Sequence, residues 1–167
     1  FKMQTAWIFP GQGSQKLGMG EDVIELNDAK KRFDFASDIF KKDLYKVCAL
    51  QSENTSSEKD LNNTKNTQIC LFLVESILLD SLKLKGYKPD YLAGHSLGEI
   101  TALYAAEVLS FEECVSLIKI RSELMSSAVK GSMAALIGFN IEDLRKAVDD
   151  LDDVVIANDN SSSQVVL

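Results

Sequence analysis

Histidine is nearly absent from this sequence: His95 stands alone among 167 residues. The three cysteines, Cys48, Cys70 and Cys114, lie 22 and 44 positions apart with no C-x-x-C pair. One imidazole and that spacing exclude a metal centre, and the odd count reads as reduced cytosolic thiols, not a disulfide frame. Long apolar runs are missing too. The longest, Ile69 to Val74, ends at Glu75, far short of the ~20 residues that cross a bilayer. No basic segment followed by an apolar stretch opens the chain, so secretion is not expected and a cytoplasmic location is. Positive charge is also scarce: 18 Lys and Arg against 25 Asp and Glu leave a net charge of -7. That balance lacks the basic footprint that nucleic-acid binding needs.

What remains is an ordinary folding chain, 46% hydrophobic and 26% charged, long enough for one domain with a real core. Phe1 and Lys2, ahead of Met3, read as additions to the natural chain. Gln4 to Phe9 has the composition of a strand, stopped by Pro10-Gly11-Gln12-Gly13-Ser14. Asp28 to Phe40 repeats apolar residues at helical spacing, and residues 51–68 form a polar loop. Thr67 to Lys85 is apolar on nearly every side, which predicts a buried helix. Tyr91 to Gly94 predicts a short strand and Leu97 to Glu107 a helix. Ser110 to Glu113 is a capping box opening another helix, closed by Gly131. Beyond it, strands at Met133–Phe139, Val154–Ala157 and Gln164–Leu167 surround a helix capped by Asn140. This strand-helix-strand-strand order resembles the first part of a ferredoxin-like unit whose last helix and strand would follow Leu167. The expectation is an α/β protein, with the parallel-sheet core over 1–132 and a partial subdomain over 133–167.

Gly94-His95-Ser96-Leu97-Gly98 matches the G-x-S-x-G turn that exposes a nucleophilic serine between a strand and a helix. The helix N-terminus would add backbone donors and positive potential. Ser96-x-x-Glu99 is equally a capping box, so Ser96 reads either as nucleophile or as helix cap. His95 adjoins the serine, but consecutive side chains leaving a strand diverge, which makes it a packed residue of the turn and not the general base. Arg121 lies in the middle of an apolar stripe formed by Cys114, Ile118, Met125 and Ala128. A guanidinium there needs a partner: an internal carboxylate, with Glu99 as a candidate, or an anionic ligand. Gly11-Gln12-Gly13 lacks both the third glycine of a dinucleotide loop and the Gly-Lys-Ser/Thr of a P-loop. It reads as an ordinary turn or an oxyanion loop.

These segments, Phe9 to Gln15, Gly94 to Glu99, Arg121, Gly131-Ser132-Met133-Ala134-Ala135 and Ala157 to Asn160, together resemble malonyl-CoA:acyl carrier protein transacylases and the acyltransferase domains of polyketide synthases. The resemblance covers essentially the whole chain. It implies Ser96 as nucleophile, the N–H groups of Gln12 and Leu97 as oxyanion hole, and Arg121 as binder of the malonyl carboxylate. It also implies malonyl-CoA and an acyl carrier protein as partners, no cofactor of the enzyme's own, and a ping-pong transfer in fatty-acid synthesis. The family's catalytic histidine has no counterpart in these residues and would lie beyond Leu167, so this stretch alone is expected to be inactive. Two departures are local: Ile69-Cys70 stands where the family usually has a proline, and Ser162-Ser163 replaces a Pro-Gly. A serine esterase or lipase, and a truncated module that only binds, remain alternatives. Lys83, Lys85 and Lys88 are the candidates for docking an acidic carrier.

Overall fold

The computed structural model describes residues 3–49, 58–128 and 131–167. Phe1-Lys2, residues 50–57, which open the expected 51–68 loop, and the two residues before Gly131 lie outside the described residues. The chain forms two compact units, residues 1–127 and 128–167.

In the first unit, β1 (Ala6–Phe9) and β2 (Tyr91–Gly94) pair in parallel, with Phe9 opposite Gly94. Parallel strands need a long crossover, and helices α1 (Ala29–Phe40), α2 (Leu44–Cys48), α3 (Glu58–Leu61) and α4 (Thr64–Leu84) supply it. α4 is the central helix. It buries Ile69, Cys70, Phe72, Leu73 and Ile77 completely or nearly so, as its all-round apolar character requires. It begins three residues before the expected Thr67, because the Asn63 side chain accepts the Lys65 N–H at 3.1 Å and so caps an earlier turn. Helices α5 (Leu97–Ala105) and α6 (Phe111–Ser127) pack against it. The capping box forms as expected: Ser110 N–H donates to Glu113 Oε2 at 2.8 Å, and Glu113 N–H donates to Ser110 Oγ at 3.2 Å. α6 ends at Ser127, before the expected stop at Gly131.

The second unit runs β3 (Ala135–Ile137), α7 (Ile141–Asp149), β4 (Asn158–Ser161) and β5 (Gln164–Val166), with the antiparallel strand order β3-β5-β4. Asn140 caps α7, accepting the N–H groups of Glu142 and Asp143 at 2.9 and 3.1 Å. The middle strand corrects the sequence reading. Val154–Ile156 lie outside the ladder, and the pairing falls instead on Asn158–Ser161, placed there by a tight turn at Ser162-Ser163 that sets Asn158 opposite Val166. Ser161 Oγ accepts the Ser163 N–H at 3.2 Å, so a hydroxyl closes the turn where a Pro-Gly would otherwise shape it.

Candidate active site

The parallel strands end at one point, and the chain turns sharply from β2 into α5. Ser96 sits on that turn with φ 55° and ψ -108°, outside the regions an L-residue adopts without strain. Its neighbours make the turn sterically feasible. A Cβ at Gly94 would overlap the Gly98 carbonyl and the Glu99 nitrogen, and one at Gly98 would overlap the Phe9 carbonyl at the end of β1. Gly11, in the loop after β1, would place a Cβ 2.5 Å from the His95 carbonyl oxygen. Glycine is thus required where β1, β2 and the start of α5 meet.

The helix-cap reading of Ser96 fails on geometry. Its side chain makes no capping hydrogen bond, and its backbone is not the extended conformation of an ordinary N-cap. The hydroxyl instead points to α6, where Arg121 Nη2 donates to Ser96 Oγ at 2.9 Å. Arg121 Nη1 donates to the Oε1 of Gln68 on α4. Glu99 is exposed and is not the partner of the guanidinium. Among the described residues Arg121 makes no ion pair, whereas Arg32, farther along the same core, is paired with Asp80 and bonded to the Tyr104 hydroxyl at 2.9 Å.

Gln12 and Leu97 lie on either side of the serine turn, one in the loop after β1 and the other opening α5. Among the described residues neither backbone N–H has a hydrogen-bond partner. Leu97 is completely buried, which fixes the first turn of α5. The Gln12 side chain is anchored as well, its Oε1 accepting from Thr64 Oγ1 at 2.9 Å. Among the described residues the site therefore joins an exposed hydroxyl on a strained turn, two unengaged N–H groups and an arginine without a counter-ion. Chemically, that set can present a nucleophile, stabilise an oxyanion and hold a carboxylate.

Residues 6–167 match the acyl transferase domain family. The chain belongs to that family. The malonyl CoA-acyl carrier protein transacylase of Synechocystis is 48% identical over 99% of this chain and 54% of its own length. A polyketide-biosynthesis malonyl CoA-acyl carrier protein transacylase of Bacillus subtilis is 42% identical, over 96% of this chain and 54% of its own. Among solved structures, the Synechocystis malonyl-CoA:ACP transacylase superposes with a TM-score of 0.89 at 49% identity, covering 98% of this chain and 54% of that one. A malonyl-transacylase solved in complex with its type II polyketide acyl carrier protein superposes at 0.85, with 35% identity and the same coverages, 98% and 54%. The chain thus spans about half the length of these relatives.

Within this acyl transferase chain, the structure brings Ser96 and Arg121 together and sets Gln12 and Leu97 beside the serine turn. It does not bring Lys83, Lys85 and Lys88 to the site. Lys83 is fifteen residues beyond Gln68 on α4, ~22 Å along the helix axis, and its Nζ holds the Ala105 carbonyl at 3.0 Å and Glu107 Oε1 at 3.2 Å. Lys88 precedes β2 at the end away from the turn. Sequence reasoning missed Gln68 and Thr64, whose only signal was a cluster of polar residues at the head of an apolar helix.

Proposed function

We propose that the protein carrying this chain transfers a malonyl group from malonyl-CoA to the phosphopantetheine thiol of an acyl carrier protein in the cytoplasm. In the first half-reaction, Ser96 Oγ forms a bond to the thioester carbonyl carbon, its proton passes to a general base, and the carbonyl electrons move onto oxygen beside the N–H groups of Gln12 and Leu97. Collapse of that tetrahedral intermediate breaks the C–S bond, and CoA leaves as the thiol with the proton returned. In the second half-reaction the carrier thiol attacks the malonyl-serine ester and regenerates Ser96. We assign the base to the part of the relatives that this chain does not match: consecutive side chains leaving a strand diverge, which turns His95 away from the Ser96 hydroxyl, and His95 is exposed, not packed in the turn as expected. The observation that carries the reading is Arg121: a cation with no carboxylate partner among the described residues and one donor on Ser96 Oγ, which suits it to hold the free carboxylate of a malonyl group.

Fatty-acid synthesis is the pathway we assign; the polyketide-biosynthesis relative in Bacillus subtilis supports polyketide assembly as a second setting for the same chemistry. An esterase or lipase has no use for an uncompensated cation beside its nucleophile. The test is intact-protein mass spectrometry of the full-length protein mixed with malonyl-CoA. One malonyl adduct on the wild type, none on Ser96→Ala, and its discharge on adding acyl carrier protein are the expected results. An adduct surviving the substitution removes Ser96 from its role, and release as free malonate with no loaded carrier makes the protein a hydrolase.

A further inference from the structure

Arg121 is anchored by an amide where a carboxylate would be its usual partner. Gln68 is 0% exposed, so each of its polar atoms needs a partner inside the protein. Its Oε1 accepts from Arg121 Nη1. Its Nε2 donates to Thr64 Oγ1 at 3.0 Å and approaches Met125 Sδ at 3.3 Å. The Thr64 hydroxyl spends its proton on Gln12 Oε1 at 2.9 Å. The direction of every bond follows from the arginine. A guanidinium has donors only, so the amide must turn its oxygen toward it. The amide nitrogen then faces Thr64, whose hydroxyl accepts on one side and donates on the other. Four residues, Arg121, Gln68, Thr64 and Gln12, form one chain of bonds with no charge in it except the guanidinium.

That neutrality has a chemical consequence. Arg32 shows what this fold does with an arginine that serves structure: it is given Asp80. At Gln68 the same hydrogen bond is made without cancelling the charge. We infer that Gln68 is a specificity-determining positioning residue, which aims Arg121 at Ser96 while leaving its charge free for the carboxylate of the incoming acyl group. The inference rests on the reading of Ser96 and Arg121 given above. A glutamate at 68 has the same shape and can make the same contact, but it supplies the guanidinium with an internal carboxylate and competes with the substrate. A methionine fits the space beside Met125, removes the orienting bond and adds no charge.

The experiment compares Gln68→Glu, Gln68→Met and Arg121→Ala in the full-length protein, reading kcat/KM for malonyl-CoA and for acetyl-CoA together with the melting temperature. Losing a charge-assisted contact of about 1.5 to 3 kcal/mol corresponds to roughly ten- to a hundredfold. Gln68→Glu is expected to lower the malonyl-to-acetyl ratio by about that factor, mainly through KM, and Gln68→Met by less. A wild-type ratio in Gln68→Glu overturns the inference, as does an equal loss on both substrates. If Gln68→Glu does not fold, a wild-type ratio in Gln68→Met overturns it. Arg121→Ala separates the two levels: a selective loss of malonyl transfer there with a wild-type ratio in Gln68→Glu sinks only the role of Gln68, whereas an equal loss in Arg121→Ala sinks the carboxylate site itself.

Discussion

Glu75 accepts a hydrogen bond from the buried Thr101 hydroxyl, and its other oxygen, Oε1, is buried with no partner among the described residues. Burial pushes its carboxyl up from 4.5 to about 7, and the Thr101 bond opposes this only in part. The folded chain therefore binds the extra proton across the interval between those two values, where the unfolded chain has already lost it. The contribution of Glu75 to stability is greatest below the unfolded value, falls as pH rises toward 7, and is level above it. The shift corresponds to about 3 kcal/mol. Glu75→Gln should accordingly melt well above the wild type at pH 8 and close to it at pH 4.5; a constant difference across that range would show that the carboxylate is not strained by burial. At this scale the sequence is unevenly legible. Ser96 announces itself because two glycines frame it, and Arg121 because a charge interrupts an apolar stripe. Gln68 lies between Thr67 and Ile69 with no such frame, and only the arrangement of α4 against α6 reveals what its amide holds.

Elements are legible where local chemistry decides them. The capping box of α6, the Asn140 cap of α7 and the glycine-framed entry to α5 each form from residues within a few positions of one another. β4 is different. Val154, Val155 and Ile156 have the β-branched composition of a strand, yet hairpin closure at Ser162-Ser163 and pairing with β5 place the ladder on Asn158–Ser161. α2 is five residues long, held by an Asp43 cap that accepts the Lys46 N–H at 3.0 Å, too short a segment for periodicity to register. The junction of β1, β2 and α5 gives the sharpest element-level expectation. Gly98→Ala drives a methyl group into the Phe9 and Pro10 backbone, which cannot rotate away as a side chain can. The cost should be about 1 to 3 kcal/mol or more, read from the midpoint of urea unfolding. On the proposed mechanism, acylation of Ser96 should fall with it, since the same displacement moves the N–H groups of Gln12 and Leu97 proposed as the oxyanion hole. A variant with wild-type stability and acylation would mean that the elbow tolerates a wider approach than the structure shows.

At the scale of the molecule, the parallel sheet has two strands among the described residues. Among those residues β1 pairs with β2 alone, and Ile8 on it is 74% exposed. A hollow of about 570 Å³ runs beside β1, lined by Trp7, Leu71, Leu78 and Leu82, with Glu75 at its wall. Parallel sheets normally have both faces covered, so a two-stranded one is marginal on its own. The same economy applies to the chemistry. Serine is a weak nucleophile until a base removes its proton, and positioned acid-base catalysis contributes about 10²- to 10⁴-fold. The relatives extend almost as far again as the matched region. The 167 residues alone should therefore transfer malonyl to carrier protein at no more than about one hundredth of the full-length rate, even where circular dichroism shows them folded. Raising the pH should recover part of the Ser96 acylation, because hydroxide ion can then take the serine proton. Multiple turnover at the full-length rate would place the general base within these residues and make His95, the one imidazole present, the first candidate for it.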